Sequence, residues 1–453
     1  MGMRPASLGL VLCLAFSPCA RADTIRQALA GAYNTNPQLN AQRASTRAVD
    51  ENLQAALGAF LPTATIQSNY SLLQQDILGL TQKTRALTTP RGAALVVSWN
   101  IFNGFRGLNG IDQAEAQIHQ SREALRNVEL SVLTNGASAY MNVLRDVAIV
   151  NLRSKYTKVL DTQISMTKER LAGGEATLTD VYQTEAYYAQ AKQDLATANV
   201  NLASSLSIYK QITGMVVKDL SPAKTVDSLL AKSLPDALKE ADQQHPLINA
   251  ARYNIELAET AVRIAEGQLL PTVGVSGQVG QQFDYAGYSS QRFFQGAIGL
   301  QFSMPIYEGG VLYASIRQTK EKLSEAMFLY DQQVVQVHQA VEAAWAAWKE
   351  SEKFLAAARD HVAKSELALA GVREELKYGQ RTTWELLNAE ATLLNARVAM
   401  VIGQNQRVVT SYQLLASMGE LSAKTLDLDV TLYRPDDHYN SVKFQWIGTE
   451  PWK

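Results

Sequence analysis

The chain has 453 residues, of which 47% are hydrophobic and 19% charged, with a formal net charge of -1. That length exceeds one ordinary compact domain, so more than one hydrophobic core is expected. The near-neutral balance gives no basic footprint for a nucleic-acid backbone, so no nucleic-acid partner is expected, and no acidic block marks a solvating tail.

Residues 1–22, MGMRPASLGLVLCLAFSPCARA, set Arg4 ahead of an apolar run from Leu8 to Phe16 and end on Ala20-Arg21-Ala22, the small-x-small pattern of a signal-peptidase site. A signal peptide and export are the expected reading. Both cysteines, Cys13 and Cys19, fall inside it, so a mature chain from Asp23 has no thiol and cannot depend on disulfides. The competing reading makes Cys19 a lipid-attached first residue, but FSPC lacks the leucine and the small residue expected before such a cysteine. Beyond residue 22 no run of about 18 uncharged apolar residues occurs, so transmembrane helices are excluded, and membrane entry would have to use strands.

The remaining chain repeats itself once. Pro37 and Pro62 recur as Pro246 and Pro271 at an offset of 209, and WNIFNG at 99–104 recurs as MPIYEG at 304–309 at an offset of 205. The second offset also carries Tyr140, Gly174 and Gly214 onto Trp345, Gly379 and Gly419. Four residues are therefore missing from the second copy between Pro271 and Met304, as expected of a loop. Two repeats follow, 23–221 and 222–420, with a C-terminal tail at 421–453 expected to be periplasmic.

Each repeat opens with a helix and passes into a strand hairpin, at about 63–102 in the first and 271–305 in the second. Residues 271–282, PTVGVSGQVGQQ, and 297–305, AIGLQFSMP, alternate apolar and polar side chains with period two, and TATIQSNYSLL and AALVVSWNIF are their first-repeat counterparts. Each is about the 9 to 11 residues that cross a bilayer when tilted. Four strands cannot close a barrel, and an open edge in lipid leaves backbone groups unpaired. Either the sheet packs on a soluble core or chains share one barrel. Two chains would give eight strands with a filled interior, three would give twelve with a lumen.

Long helices then fill about 104–214 and 309–419. No proline occurs from 91 to 221 or from 306 to 434, and helix interiors tolerate proline worst. The stretch from Gly104 to about Leu171 would run about 100 Å at 1.5 Å per residue. Its seam, Ile111, Ile118, Leu125, Val132 and Ala139, recurs as Ile316, Leu323, Tyr330, Val337 and Ala344. A strict spacing of seven implies helices wound about neighbours.

GGEATLTDVYQTE at 173–185 and YGQRTTWELLNAE at 378–390 interrupt these helices. Gly174 and Gly379 supply the left-handed residue that ends one helix, and Thr177 and Thr382 cap the next. Asp180 and Glu385 complete Thr-x-x-acid capping boxes. Capping alone accounts for both acids at this level. The five histidines have no metal-binding spacing, and no phosphate loop, nucleophile elbow or dinucleotide fingerprint appears, so no enzymatic activity and no cofactor or metal are expected. His245 before Pro246 reads as a loop-to-helix turn, Trp345 and Trp348 as coiled-coil packing, and Trp99 as a strand-end residue suited to a membrane boundary.

The two-fold repeat, the NP or HP and LP signatures, the strand hairpins and the NIFNG and PIYEGG openings of the long helices together resemble the TolC-type outer-membrane factor family over nearly the whole mature chain. The tail YRPDDHYNSVKFQWIGTEPW from 433 is similar to that of members accompanying type I secretion. The resemblance implies an α+β fold: a long antiparallel α-helical coiled-coil barrel with a transmembrane β-barrel shared between three protomers. It implies a homotrimer in the outer membrane and its lipid, extending into the periplasm of a Gram-negative cell. Such a trimer serves as a passive exit duct for a tripartite efflux pump or a type I secretion system.

The implied partners are a periplasmic adaptor (membrane fusion) protein, meeting the helix tips at Gly174 and Gly379, and an inner-membrane pump or ABC transporter. The implied gate places the family's acidic pore positions on Glu385 and Asn388, one helix face apart by three residues. Asn388 departs from the family by being an amide, so one charged ring is expected in place of two. Three Glu385 carboxylates around a narrow axis would repel one another, raising the pKa of some, and attract cations. Arg381 and Asp180 align with the latch pair that holds neighbouring coiled coils shut, and Leu376 stands where the family places a helping tyrosine. A solvated turn is the competing role for Arg381. The competing reading of the whole chain is a non-channel structural coiled-coil protein of the periplasm or cell surface.

Overall fold

A computed structural model describes residues 24–78, 83–217, 220–284 and 291–450. The signal peptide expected at 1–22, with both cysteines, lies outside the described residues. In chain order the elements are α1 (Ile25–Thr35), α2 (Pro37–Gly58), β1 (Thr63–Tyr70), β2 (Leu73–Leu78), β3 (Lys83–Thr88), β4 (Arg91–Asn103), α3 (Arg106–Ala172) and α4 (Leu178–Thr213). They continue as α5 (Leu234–Gln244), α6 (Pro246–Glu266), β5 (Thr272–Phe283), β6 (Arg292–Ser303), α7 (Val311–Lys377), α8 (Thr383–Ser417) and α9 (Pro435–Val442). The fold is α+β, dominated by long helices.

Helix starts follow from local chemistry. Pro37 and Pro246 open α2 and α6, where a missing N–H costs nothing because the first-turn amides have no intrahelical partner. The preceding side chains cap what remains: Asn36 Oδ1 accepts from the Gln38 and Leu39 amides, and His245 Nδ1 accepts from the Leu247 amide at 3.2 Å. His245 is buried, and desolvation followed by the nearby Arg126 charge pushes its pKa down to about 4. A base whose folded pKa is depressed contributes stability above its unfolded value of 6.5 and loses it as pH falls through 6.5 toward about 4. We expect His245→Asn, which keeps a capping oxygen without the titrating ring, to flatten the melting-temperature profile over that window; an unchanged pH slope would disprove the assignment.

β1, β4, β5 and β6 form one antiparallel sheet in that spatial order. The central β4–β5 pairing joins the two predicted hairpins into one surface, and its register shifts between Asn100 and Phe102, leaving Ile101 as an added residue near the end of the ladder. A second sheet, the β2–β3 ribbon, pairs Leu73 with Thr88 through Leu78 with Lys83 in the β1–β4 connection. Sequence reading runs the first strand on to 73 and passes over this ribbon, because LQQDIL lacks the period-two alternation on which it relies.

α3 and α7 each run 67 residues without a break. Along the seam of α3, Ile118, Leu125, Val132 and Ala139 are buried. The α7 seam buries Ile316 and Val337 and leaves Leu323, Tyr330 and Ala344 partly exposed in the single chain.

The chain divides into two compact units. One gathers the described residues of 1–35, 135–225 and 351–409, and the other those of 36–134, 226–350 and 410–453. In the second unit, Ala237, Ala241, Ile248, Val337, Val341 and Leu414 form a core against which Trp345 and Trp348 pack. The two indoles lie 5.3 Å apart, and Trp348 Nε1 donates to Asp227 at 2.9 Å. Here α9 also packs on α2, through a His438 Nδ1 to Asp50 Oδ2 contact of 2.9 Å, and reaches α3 through an Arg122–Asp436 ion pair of 2.9 Å. In the first unit, Leu160, Ala191 and Leu387 form a buried cluster surrounded by Tyr156, Tyr187 and Tyr188.

Candidate functional site

Both helix tips end and restart by the same device. At the first, the Glu175 amide donates to Arg170 O at 2.8 Å and the Gly174 amide to Leu171 O at 3.0 Å, with Gly174 at φ +76°. At the second, the Gln380 amide donates to Glu375 O at 3.0 Å and the Gly379 amide to Leu376 O at 3.0 Å, with Gly379 at φ +73°. These paired bonds satisfy the last free carbonyls of the helix around a left-handed residue. A side chain at either glycine would meet nothing, so it is backbone conformation that calls for glycine there.

The restart is a complete capping box in each case. The Thr177 amide donates to Asp180 Oδ2 at 2.8 Å while the Asp180 amide donates to Thr177 Oγ1 at 3.2 Å. The Thr382 amide donates to Glu385 Oε2 at 2.8 Å while the Glu385 amide donates to Thr382 Oγ1 at 3.3 Å. Each acid neutralises the positive end of the helix it opens.

Arg381 adds charge to the second tip. Its Nε donates to Glu375 at 2.6 Å and its Nη1 to Glu385 at 2.7 Å. All three groups are solvated, so water and salt screen both pairs. The Thr382 amide, and then Arg381, hold the Glu385 carboxyl below the usual glutamate range. Within one chain the shift is therefore downward; the rise expected from sequence would require carboxylates of other chains close by. Arg381 and Asp180, the proposed latch pair, are not joined to each other within the chain: Asp180 is engaged by Thr177, and Arg381 by its two glutamates.

Asn388, one turn beyond Glu385, takes a different partner. Its Oδ1 accepts from the Tyr187 hydroxyl at 3.0 Å, across 201 residues of sequence. Tyr187 escapes sequence reading because no local pattern pairs positions so far apart. Leu376 packs with Leu369, Leu386 and Leu393 in an apolar cluster. Alongside, a cleft of about 780 Å³ is lined by Val159, Met166, Arg170, Leu376, Leu386 and Glu390.

The sheet separates its side chains by face. Cross-strand rows such as Ile66, Leu95 and Val279, then Val97 and Ile298, then Trp99, Val275 and Leu300 make one side apolar. Those side chains are open to the surroundings, with Ile298 87% and Ile66 81% exposed. At one end of this face stand Tyr70, Arg91, Phe283 and Arg292 in a single row, and at the other the Trp99 indole donates to Phe60 O at 2.8 Å. Aromatic side chains at both limits of an apolar band, with arginines at one of them, are what a bilayer interface selects. The opposite face carries Thr65, Gln67, Asn69, Gln278, Gln282, Gln295 and Gln301, with no charged side chain in the paired rows. Among the described residues no helix is long and apolar enough to cross a membrane.

An apolar outer face, a neutral polar inner face and long paired helices define an outer-membrane channel protein. The chain belongs to the family described as outer membrane efflux protein, whose model matches residues 28–214 and 237–420. It is similar to the outer membrane efflux protein BepC of Brucella suis, 36% identical over 429 residues, covering 95% of this chain and 92% of the relative. It is also similar to the outer membrane protein TolC of Escherichia coli, 24% identical over 445 residues, covering 93% and 87%. Among solved structures, the Campylobacter jejuni CmeC outer membrane channel superposes with a TM-score of 0.78 at 16% identity, covering 93% of this chain and 89% of the other. The protein is thus a channel of the outer membrane that extends into the periplasm.

Proposed function

We infer that the protein works as a homotrimeric, passive exit duct of a tripartite efflux pump or type I secretion system. The observation that carries this is the four-stranded sheet, apolar on one face and open at β1 and β6. Unpaired edges in lipid cost several kcal/mol per backbone group, and three copies supply twelve strands around a lumen. A scaffold in water gives such an apolar face no role. The duct performs no catalysis, and energy comes from an inner-membrane pump or ABC transporter reached through a periplasmic adaptor. The adaptor docks at the tips around Gly174 and Gly379, where the adjoining cleft offers both apolar and charged lining.

The gate sits at the second tip. Three Glu385 carboxylates converge on the axis and favour cations, while Arg381 of one coiled coil and Asp180 of its neighbour latch the tips; latching exchanges the intrachain partners of both groups for each other, and opening restores them. In planar bilayers, Glu385→Ala should lose cation preference and divalent-cation block, and Arg381→Ser should raise the resting conductance. Wild-type selectivity and conductance in both variants would remove the gate from this position.

A further inference from the structure

The tips are joined to each other as well as to themselves. Within the first hairpin, Arg153 Nη1 meets Asp194 Oδ2 at 2.5 Å and ties α3 to α4. Within the second, Arg373 Nη2 meets Glu390 Oε1 at 2.9 Å and ties α7 to α8. The Tyr187 hydroxyl to Asn388 bond is of another kind, because it runs from the returning helix of the first hairpin to the returning helix of the second.

It is also well supported. Tyr187 is partly buried beside Tyr188 and Tyr156, on the cluster where Leu160 of α3, Ala191 of α4 and Leu387 of α8 meet. Leu387 immediately precedes Asn388, so apolar packing fixes the backbone that carries the acceptor. Tyr187 lies ten residues beyond Thr177, about 15 Å along the helix. A neutral amide accepts a phenol O–H here without the cost of desolvating a carboxylate.

We propose that Tyr187 is a positioning residue of the gate: through Asn388 it holds the second hairpin against the first, so that the helix bearing Glu385, and the turn before it that carries Arg381, keep their resting place. This rests on the gate reading above. Asn388 on this account is a tie and not a second lining position, and the hairpins part only when the bond breaks.

The test compares Tyr187→Phe, Asn388→Leu, their double variant and Asn388→Asp as purified trimers in planar bilayers. One neutral hydrogen bond biases an equilibrium about two- to tenfold. Tyr187→Phe and Asn388→Leu should each raise resting open probability by that factor, and the double variant by no more than one of them, because both remove the same bond. Asn388→Asp keeps an acceptor at the cost of a charge and should raise open probability less than Asn388→Leu does, while the melting temperature of the Tyr187→Phe trimer stays that of the wild type. Fully additive effects, or a fall in melting temperature with unchanged conductance, would overturn the proposal. If Arg381→Ser opens the channel and Tyr187→Phe does not, only this tie fails. If neither alters conductance, the gate reading fails with it.

Discussion

The substitution Ile298→Lys is expected to keep the protein out of the outer membrane, whereas Ala297→Lys, one residue earlier, should insert normally and raise anion permeability. Both positions lie in the middle of β6. Ile298 pairs with Gly277 in the apolar row, and Ala297 pairs with Gln278 on the polar face. Successive strand residues point to opposite faces, so a shift of one moves the ammonium from lipid to lumen. A lysine on the lipid face near the bilayer midplane costs about 2 to 4 kcal/mol, and a trimer carries the cost three times over. Membrane fractionation and the yield of detergent-resistant trimer read the outcome. Equal insertion of the two variants, or failure of Ala297→Lys alone, would invert the assignment of faces.

The second large effect is expected where α9 meets α2. Asp50 is fully buried and His438 nearly so, and the two meet at 2.9 Å. Burial pushes the Asp50 carboxyl up, against the pull of the His438 hydrogen bond and the charges of His438 and Arg122. His438→Ala leaves a buried carboxylate without its closest partner, a change that costs about 3 to 5 kcal/mol. We expect α9 to leave α2, giving protease cleavage within 435–442 and a lower melting temperature; adding Asp50→Asn should recover most of the loss. A carboxyl whose folded pKa lies above its unfolded value of 3.8 contributes stability below that value and loses it as pH rises through the folded one. The His438→Ala defect should therefore be largest near neutrality and relieved by acid. A defect equally large at all pH values would show that packing, not charge, holds the tail.

Much of this is legible in the sequence alone. Asp180 and Glu385 announce capping boxes because a box is a three-residue spacing, and Gly174 and Gly379 announce helix ends because few other residues adopt a left-handed backbone. The seam from Ile111 to Ala139 and the alternation through Val273, Val275 and Val279 are equally local. The role given to Asn388 was less legible. From its spacing to Glu385 it belongs on the same helix face, but the structure draws it to Tyr187, and the hydroxyl missing at Leu376 has no substitute at that position.

What the sequence by itself determined is therefore what local periodicity or internal repetition records: the long helices, the four strands of the large sheet, the caps, and the two-fold repeat that lays them out twice. Only the tertiary structure decided the β4–β5 pairing that makes one sheet of two hairpins, the β2–β3 ribbon, the docking of α9 on α2, and the Tyr187–Asn388 tie. The reason is physical: periodicity records which face of an element avoids water, whereas the partner of a polar group depends on where the chain returns after tens or hundreds of residues.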